Sequence, residues 1–328
     1  MYATQTIVFW ACLVILVVML WKWYWTVQIT YNPAAISLYT PESFAFESEA
    51  EEKEYDALVN LGIKDARQRK VVIASLVRDV EDRLPEIIKK AESVGRMFKD
   101  YTILIVENDS KDQTRQLLLE WAAKNPRVKI LGCGVNAKEC SLPKAPKTDG
   151  HYVDRTRIQK MVDLRNIYLD HIKTHYSDYD YTVMWDLDMI GSVYLDGIQH
   201  SLGYLAHHPD VDVVCSYGIY HWAFFTLFYD TYALLHRDET FHIDHKTIHD
   251  IRKGMWEAKY SRGNPPVQVD SCFSGFAIYR TPSFMDSDIK YDMSPPDNLE
   301  CEHVRLNKKI KGKKVVNPSM INLVLLND

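Results

Sequence analysis

From Lys70 onward the sequence alternates short apolar runs with longer amphipathic ones, and this alternation restricts the fold more than any other feature. Residues 71–77 (VVIASLV) form a near-continuous apolar run suited to a strand buried on both faces. Pro85 then stands at a good first helical position, and Ile87, Ile88, Ala91, Val94 and Phe98 recur at helical spacing. Residues 101–106 (YTILIV) read as a second strand. Ser110 or Asp112 can cap a following helix that carries Leu117, Leu118 and Trp121 on one face. Residues 128–131 give a third strand, 155–175 a long helix, 181–185 a strand, 195–207 a helix and 211–215 a strand. A strand near 272–279 and a helix near 302–310 complete the pattern, with 217–266 aromatic and irregular. Strand and helix in alternation specify an α/β fold: an open mixed, mainly parallel sheet flanked by helices, with ligands at the carboxyl ends of its strands.

The N-terminus is of a different kind. Residues 7–21 (IVFWACLVILVVMLW) carry no charge. At about 1.5 Å rise per residue, some twenty such residues cross a hydrocarbon core of roughly 30 Å. Trp21, Trp23, Tyr24 and Trp25 around Lys22 suit a membrane interface. A cleaved signal would want a basic start and small residues at a cleavage site, and neither is present. The chain therefore divides into a transmembrane anchor over 1–26, a stem over 27–69 and a catalytic domain over 70–328. The acidic helix expected within the stem, around residues 48–60, reads as a solvated spacer. Lys22 alone does not set the orientation. A net charge of -5 with no basic tract argues against nucleic acid as a partner. Six cysteines without a CxxC pair argue against structural zinc. Cys133 and Cys140 are able to pair across a loop in a lumenal domain; otherwise the thiols read as unpaired and mostly buried.

Three groups of residues carry the chemistry. Asp186-Leu187-Asp188 places two carboxylates at the end of an apolar strand, on the ligand edge. Hard divalent cations want oxygen ligands and keep water or phosphate in their shell, so the pair suits Mn²⁺ or Mg²⁺ and a diphosphate leaving group. Glu107 and Asn108 follow the second strand on the same edge, where a carboxylate or amide meets a nucleobase or ribose; Ser110 and Asp112 beside them are ordinary caps. Arg155, Arg157 and Arg165-Asn166 lie on the long helix, with Arg165 on its apolar side. A buried guanidinium needs a partner, either a structural carboxylate or donor oxygens. His242, His245 and His249 have near-helical spacing without the context of a zinc site.

In this order the residues resemble GT-A glycosyltransferases, and within them the fungal capsule-associated α-1,3-mannosyltransferases (glycosyltransferase family 69-like). The resemblance is carried by Leu84-Pro85, the loop from Glu107 to Thr114, Arg157-Ile158 with Leu164-Arg165-Asn166, Tyr229-Asp230-Thr231, Ser271 to Gly275, Glu300-Cys301 and Asn317-Pro318. One departure stands out: the family often has Asn-Asp where this chain has Asp186-Leu187-Asp188, which is nearer the general GT-A pattern. The resemblance implies retaining transfer of a sugar, mannose among the candidates, from a nucleotide diphosphate donor to a glycan or glycoprotein hydroxyl. It implies Asp186 and Asp188 as metal ligands, with His303 completing the shell. Ala74, Leu76, Arg78, Glu107, Asn108, Arg157, Arg165 and Asp186 would line the donor, and Asp270, Glu300 and Glu302 the reacting face. It also implies a single-pass membrane protein of Golgi or ER type II orientation. Two rivals stay open: a sugar-nucleotide nucleotidyltransferase, although Ala74-Ser75-Leu76-Val77-Arg78 lacks the glycines of such a loop, and a non-catalytic, membrane-tethered glycan-binding protein.

Overall fold

The computed structural model describes residues 2–31, 39–42, 44–132, 155–222, 225–237, 260–295 and 299–325. Cys133, Cys140, His242, His245 and His249 lie outside the described residues.

Strands β1 (Lys70–Val77), β2 (Asp100–Glu107), β3 (Val128–Gly132) and β4 (Tyr181–Trp185) pair in parallel in the order β3-β2-β1-β4. Side chains alternate across a strand, so a strand covered on both faces must be apolar throughout. Along β1, Val72, Ala74 and Leu76 enter one core, while Val71, Ile73 and Val77 enter the other. The first core is covered by α5 (Arg155–His175), through Ile158, Leu164 and Tyr168. The second is covered by α3 (Leu84–Gly95), α4 (Thr114–Lys124) and α6 (Leu195–His207).

Beyond β4 the sheet is mixed. β10 (Phe276–Arg280) runs antiparallel between β4 and β6 (Val211–Trp222). β11 (Lys313–Leu325) runs parallel to β6 and antiparallel to β9 (Val267–Ser271), which β8 (Leu235–His236) extends. β5 (Ile190–Val193) adds to β11, and β7 (Phe225–Tyr229) adds to β6. The β6–β11 register shifts between Asn317 and Ile321, where Pro318 has no N–H to give the ladder. Asn317 Nδ2 is bonded there to Ser201 Oγ at 2.8 Å and approaches His200 Nδ1 at 2.9 Å. The Asn-Pro pair thus shapes the sheet. A short helix, α7 (Glu302–Asn307), packs on the first core through Val304 and Leu306.

Two expectations need correction. The acidic helix of the stem, α2 (Glu49–Ala66), is no free spacer. Glu49, Glu52 and Glu54 face solvent, but its other side lies against α6 at a glycine crossing. A Cβ on Gly62 would sit 1.8 Å from the Gln199 carbonyl oxygen, and one on Gly203 would sit 2.0 Å from that of Leu58. Beside the crossing, Asp196 accepts from the backbone and hydroxyl of Thr40 and pairs with Arg262 at 2.9 Å, and Arg262 lies over the rings of Phe46 and Tyr55. The second correction concerns sulfur. Cys215 on β6 and Cys272 after β9 form a disulfide, with Cα atoms 5.9 Å apart, while Cys12 and Cys301 are free.

Helix α1 (Tyr2–Tyr31) contains an apolar stretch, Gln5–Trp23, with a mean hydropathy of 2.2 and no part of it buried against the rest of the chain. By length and composition it is able to cross a membrane.

Candidate functional site

The β4 strand ends on the carboxylate pair, and four contacts fix the turn that follows. The Asp186 amide donates to the Gly275 carbonyl at 2.9 Å, the Leu187 amide to Ser75 Oγ at 3.2 Å, the Met189 amide to the Asp186 carbonyl at 3.1 Å, and Arg83 Nη1 to the Asp188 carbonyl at 2.8 Å. Ser274 and Gly275 both have positive φ, 56° and 77°. Glycine takes that conformation without strain, and so turns its carbonyl toward Asp186. The Ser271 to Gly275 motif therefore braces the pair. Leu187 is buried in the core between the two acids.

Arg165 is buried beneath them. Its Nη2 donates to Asp186 Oδ1 at 3.0 Å, its Nε to Glu302 Oε1 at 3.0 Å and its Nη1 to the Tyr168 hydroxyl at 3.3 Å; its guanidinium lies over the Phe273 ring. Of the two partners open in the sequence, the structure provides the carboxylates. Burial works against the Arg165 charge, but Asp186, Tyr168 and Glu302 outweigh it and hold its pKa well above the ordinary value. Burial also pushes the Asp186 carboxyl up, with Arg165 opposing. Asp188 has no such partner: no cation bonds its carboxylate among the described residues, and burial followed by the proximity of Asp186 pushes its pKa up to about 7, against Arg165, Arg83 and a backbone hydrogen bond. One acid is thus neutralised by a buried cation, and the other is left with excess negative charge. Hard oxygen donors in that state fit a divalent cation whose remaining ligands are water and phosphate.

The expected third ligand is elsewhere. His303 is sealed in the core, 1% exposed, stacked on Phe273 with ring centroids 3.7 Å apart. Its Nε2 is 3.9 Å from Glu302 Oε1, and neither ring nitrogen has a hydrogen-bond partner. Burial, then Arg165, holds its pKa well below the ordinary value, so the ring is neutral. Among the described residues no three His, Cys, Asp or Glu side chains form a group able to hold a metal, and Asp186 and Asp188 remain as a pair.

Along the neighbouring edge, the expected donor residues divide. Ala74 and Leu76 are buried within the sheet core. Glu107 is fully buried and occupied: it accepts from the Ser110 amide at 2.6 Å and from Arg115 Nε at 2.9 Å, which holds the loop. Asn108 is free, its Oδ1 buried with no partner. Arg78 is within 3.3 Å of Asp79. Lys160 on α5, not marked by the sequence reading, is buried, and its amine has no partner among the described residues. Burial and the nearby Arg78 lower its pKa, with Asp109 opposing. A lysine without a hydrogen-bond partner near Arg78 and Asp109, and an unsatisfied amide oxygen on Asn108, are groups able to meet an anionic or hydroxyl-rich ligand.

On the reacting face, only Glu302 joins the central cluster. Glu300 is held by Arg305 at 3.3 Å and Lys308 at 2.5 Å. Asp270 lies on β9 beside Lys314. Asp230 does join it, although it was read only as part of a motif. Its pKa is pushed up to about 6 by burial, against hydrogen bonds from the Tyr232 and Ala233 amides, and Glu302 and Asp186 both act on it. Arg157 acts on Asp186 and on Tyr229 and Tyr232. The signal available in the sequence was an acid inside an aromatic stretch, where burial is the default.

The model of the family described as Cryptococcal mannosyltransferase 1 matches residues 70–305. No curated protein sequence matches the chain. Among solved structures, S. aureus TarS 1–349 in complex with UDP-GlcNAc aligns at 13% identity and a TM-score of 0.46, over 79% of this chain and 59% of that one. The mannosyltransferase PcManGT from Pyrobaculum calidifontis, in complex with GDP-Man and Mn²⁺, aligns at 11% identity and a TM-score of 0.45, over 85% of this chain and 68% of that one. The chain thus spans about three fifths of the first structure it matches.

Proposed function

The chain belongs to the Cryptococcal mannosyltransferase 1 family, a glycosyltransferase family, and from this premise we propose that it transfers mannose from a nucleoside diphosphate donor to a hydroxyl of a glycan or glycoprotein, with retention at the anomeric carbon. The observation that carries the reading is the carboxylate pair at the end of β4, with Asp186 paired to buried Arg165 and Asp188 unpaired. Asp186 and Asp188 would hold Mn²⁺ or Mg²⁺. When bound, the cation would neutralise the diphosphate as the bond to the sugar breaks. Asn108, Arg78 and Lys160 would receive the nucleoside and its phosphates. Arg165 opposes the effect of burial on the Asp186 carboxyl and orients it. Arg157 is a further cation that acts on Asp186, Tyr229 and Tyr232.

The same reading makes the protein a single-pass membrane enzyme of type II orientation. The stretch Gln5–Trp23 supports the anchor. The Cys215–Cys272 disulfide supports a lumenal domain, because such bonds persist in oxidising compartments.

The test uses the whole chain in detergent micelles, incubated with GDP-mannose and with UDP-linked hexoses, with and without Mn²⁺. The expected result is release of GDP from GDP-mannose, dependent on Mn²⁺ and lost in Asp188→Asn. An absence of nucleotide release from every donor, by protein that remains folded, would refute glycosyl transfer. Release of the same size after chelation would refute the metal.

A further inference from the structure

We propose that Asp230 is the catalytic carboxylate that receives the acceptor hydroxyl, an assignment that rests on the glycosyl-transfer reading above. Asp230 follows β7 in a turn that its own side chain closes. Oδ1 accepts the amides of Tyr232 at 3.0 Å and Ala233 at 3.4 Å. The second oxygen accepts nothing among the described residues, and the residue is only partly buried. A carboxylate with one oxygen spent on its own backbone and the other open is oriented and available.

The turn is held in the site from two sides. The Tyr232 hydroxyl donates to the Leu299 carbonyl at 3.2 Å, tying it to the segment that leads into α7 and Glu302. On the other side, Tyr229 stands opposite Gly218 in the β6–β7 ladder. A Cβ on Gly218 would meet the Tyr229 carbonyl oxygen at 1.9 Å and Ser274 Cβ at 3.0 Å. Only glycine permits that approach, and it seats the turn on the same Ser274-Gly275 corner whose carbonyl fixes Asp186. The Tyr229 hydroxyl reaches Met189 Sδ at 3.8 Å, just past Asp188.

The other acids of the site are committed. Glu302 and Asp186 share Arg165, Glu300 is held by Arg305 and Lys308, and Asp188 belongs with the diphosphate. Among the described residues of the cluster other than Asp188, Asp230 is the acid that keeps an acceptor oxygen with no cation bonded to it. The acceptor oxygen approaches on the face from which the diphosphate departs, so that the anomeric configuration is retained; its bond to the anomeric carbon forms, and the bond from that carbon to the phosphate oxygen breaks. The electron pair leaves on the nucleoside diphosphate. The hydroxyl proton passes to the open oxygen of Asp230 and from there to solvent.

Asp230→Asn tests this, since an amide oxygen can still accept the Tyr232 amide while the second position no longer takes a proton. The assay uses whole protein in micelles with Mn²⁺, GDP-mannose and 4-nitrophenyl α-mannoside as acceptor. Transfer is expected to fall about 100-fold or more, the scale of a positioned general base. Affinity for Mn²⁺ and GDP-mannose, measured by calorimetry, is expected to stay within about twofold, since the change lies on the acceptor side. Formate is expected to restore part of the transfer in Asp230→Ala, which a purely structural role would not allow. Undiminished transfer by Asp230→Asn would overturn the assignment, as would a parallel loss of donor affinity. Wild-type protein that transfers from no nucleotide sugar would instead overturn the glycosyl-transfer reading, and this assignment with it.

Discussion

The glycine crossing between α2 and α6 gives a prediction whose sign alone is decisive. In an exposed helix, replacing Gly62 by Ala stabilises by roughly 1 kcal/mol, because alanine has less backbone freedom to lose. At this crossing the new methyl would lie 1.8 Å from the Gln199 carbonyl oxygen and 2.8 Å from the Gly203 nitrogen, both backbone atoms that cannot rotate away. Restoring ordinary contact requires the helices to part by roughly 1.5 Å. Separation loosens the stack of Tyr55 on His200 and the seat of Arg262 over Phe46 and Tyr55. Overpacking of this kind costs about 1–3 kcal/mol or more. The net expectation is a loss of about 2 kcal/mol, and a fall in Tm of about 4–8 °C for a domain of this size. Scanning fluorimetry of the whole protein in micelles reads it through the tryptophans. Gly203→Ala strikes the same crossing from the other side, so the double variant should cost less than the sum of the singles. An unchanged or raised Tm for Gly62→Ala would mean that α2 is a free spacer after all, and would refute the docking.

Other outcomes follow from the site itself. Arg165→Met leaves Asp186 and Glu302 without their shared cation, so it should destabilise by about 3–5 kcal/mol and abolish turnover; denaturant melts read the first effect and nucleotide release the second. Asp188 sets a pH dependence. Its carboxyl is raised to about 7 in the fold, so in metal-free protein its contribution to stability is full below the ordinary carboxylate range and is lost as pH rises toward 7. Mn²⁺ competes with that proton, so Mn²⁺ affinity should fall as pH drops below about 7, and an affinity flat between pH 5.5 and 8 would contradict it. Lys160→Met should weaken binding of the free nucleoside diphosphate in calorimetry while leaving Tm unchanged or slightly higher, because a buried, unpartnered amine is replaced by a thioether of similar length.

The parallel half of the sheet was legible because its strands are buried on both faces and its helices amphipathic. The helices over 155–175 and 195–207 and the strand over 181–185 are found with those bounds. The need of Arg165 for a partner was legible from its place on an apolar face; which partner it takes was not, because Glu302 is far away in sequence and reaches it only through tertiary packing. The docking of α2 was hidden because glycine in a helix reads as a weak point until a second glycine is found across from it. The disulfide was hidden for a similar reason: Cys215 on β6 and Cys272 just after β9 are 57 residues apart, and β11 lies between those two strands. The strand β11 itself was masked by Asn317-Pro318, which reads as a break. His303 was misread by position: placed between acids in sequence, it turns into the core once α7 forms.

The place of β11 has a consequence for how the protein is made. Its residues, 313–325, are synthesised after every other described strand of the sheet, yet they lie inside it, between β6 and β9, with β5 added at their far end. Until they leave the ribosome, β6 and β9 keep open edges, and open edges invite pairing with other chains. A nascent polypeptide therefore cannot finish its central sheet domain by domain as it emerges. A stop codon just before residue 313 should be as damaging as one much earlier, and its product is a natural client for chaperones.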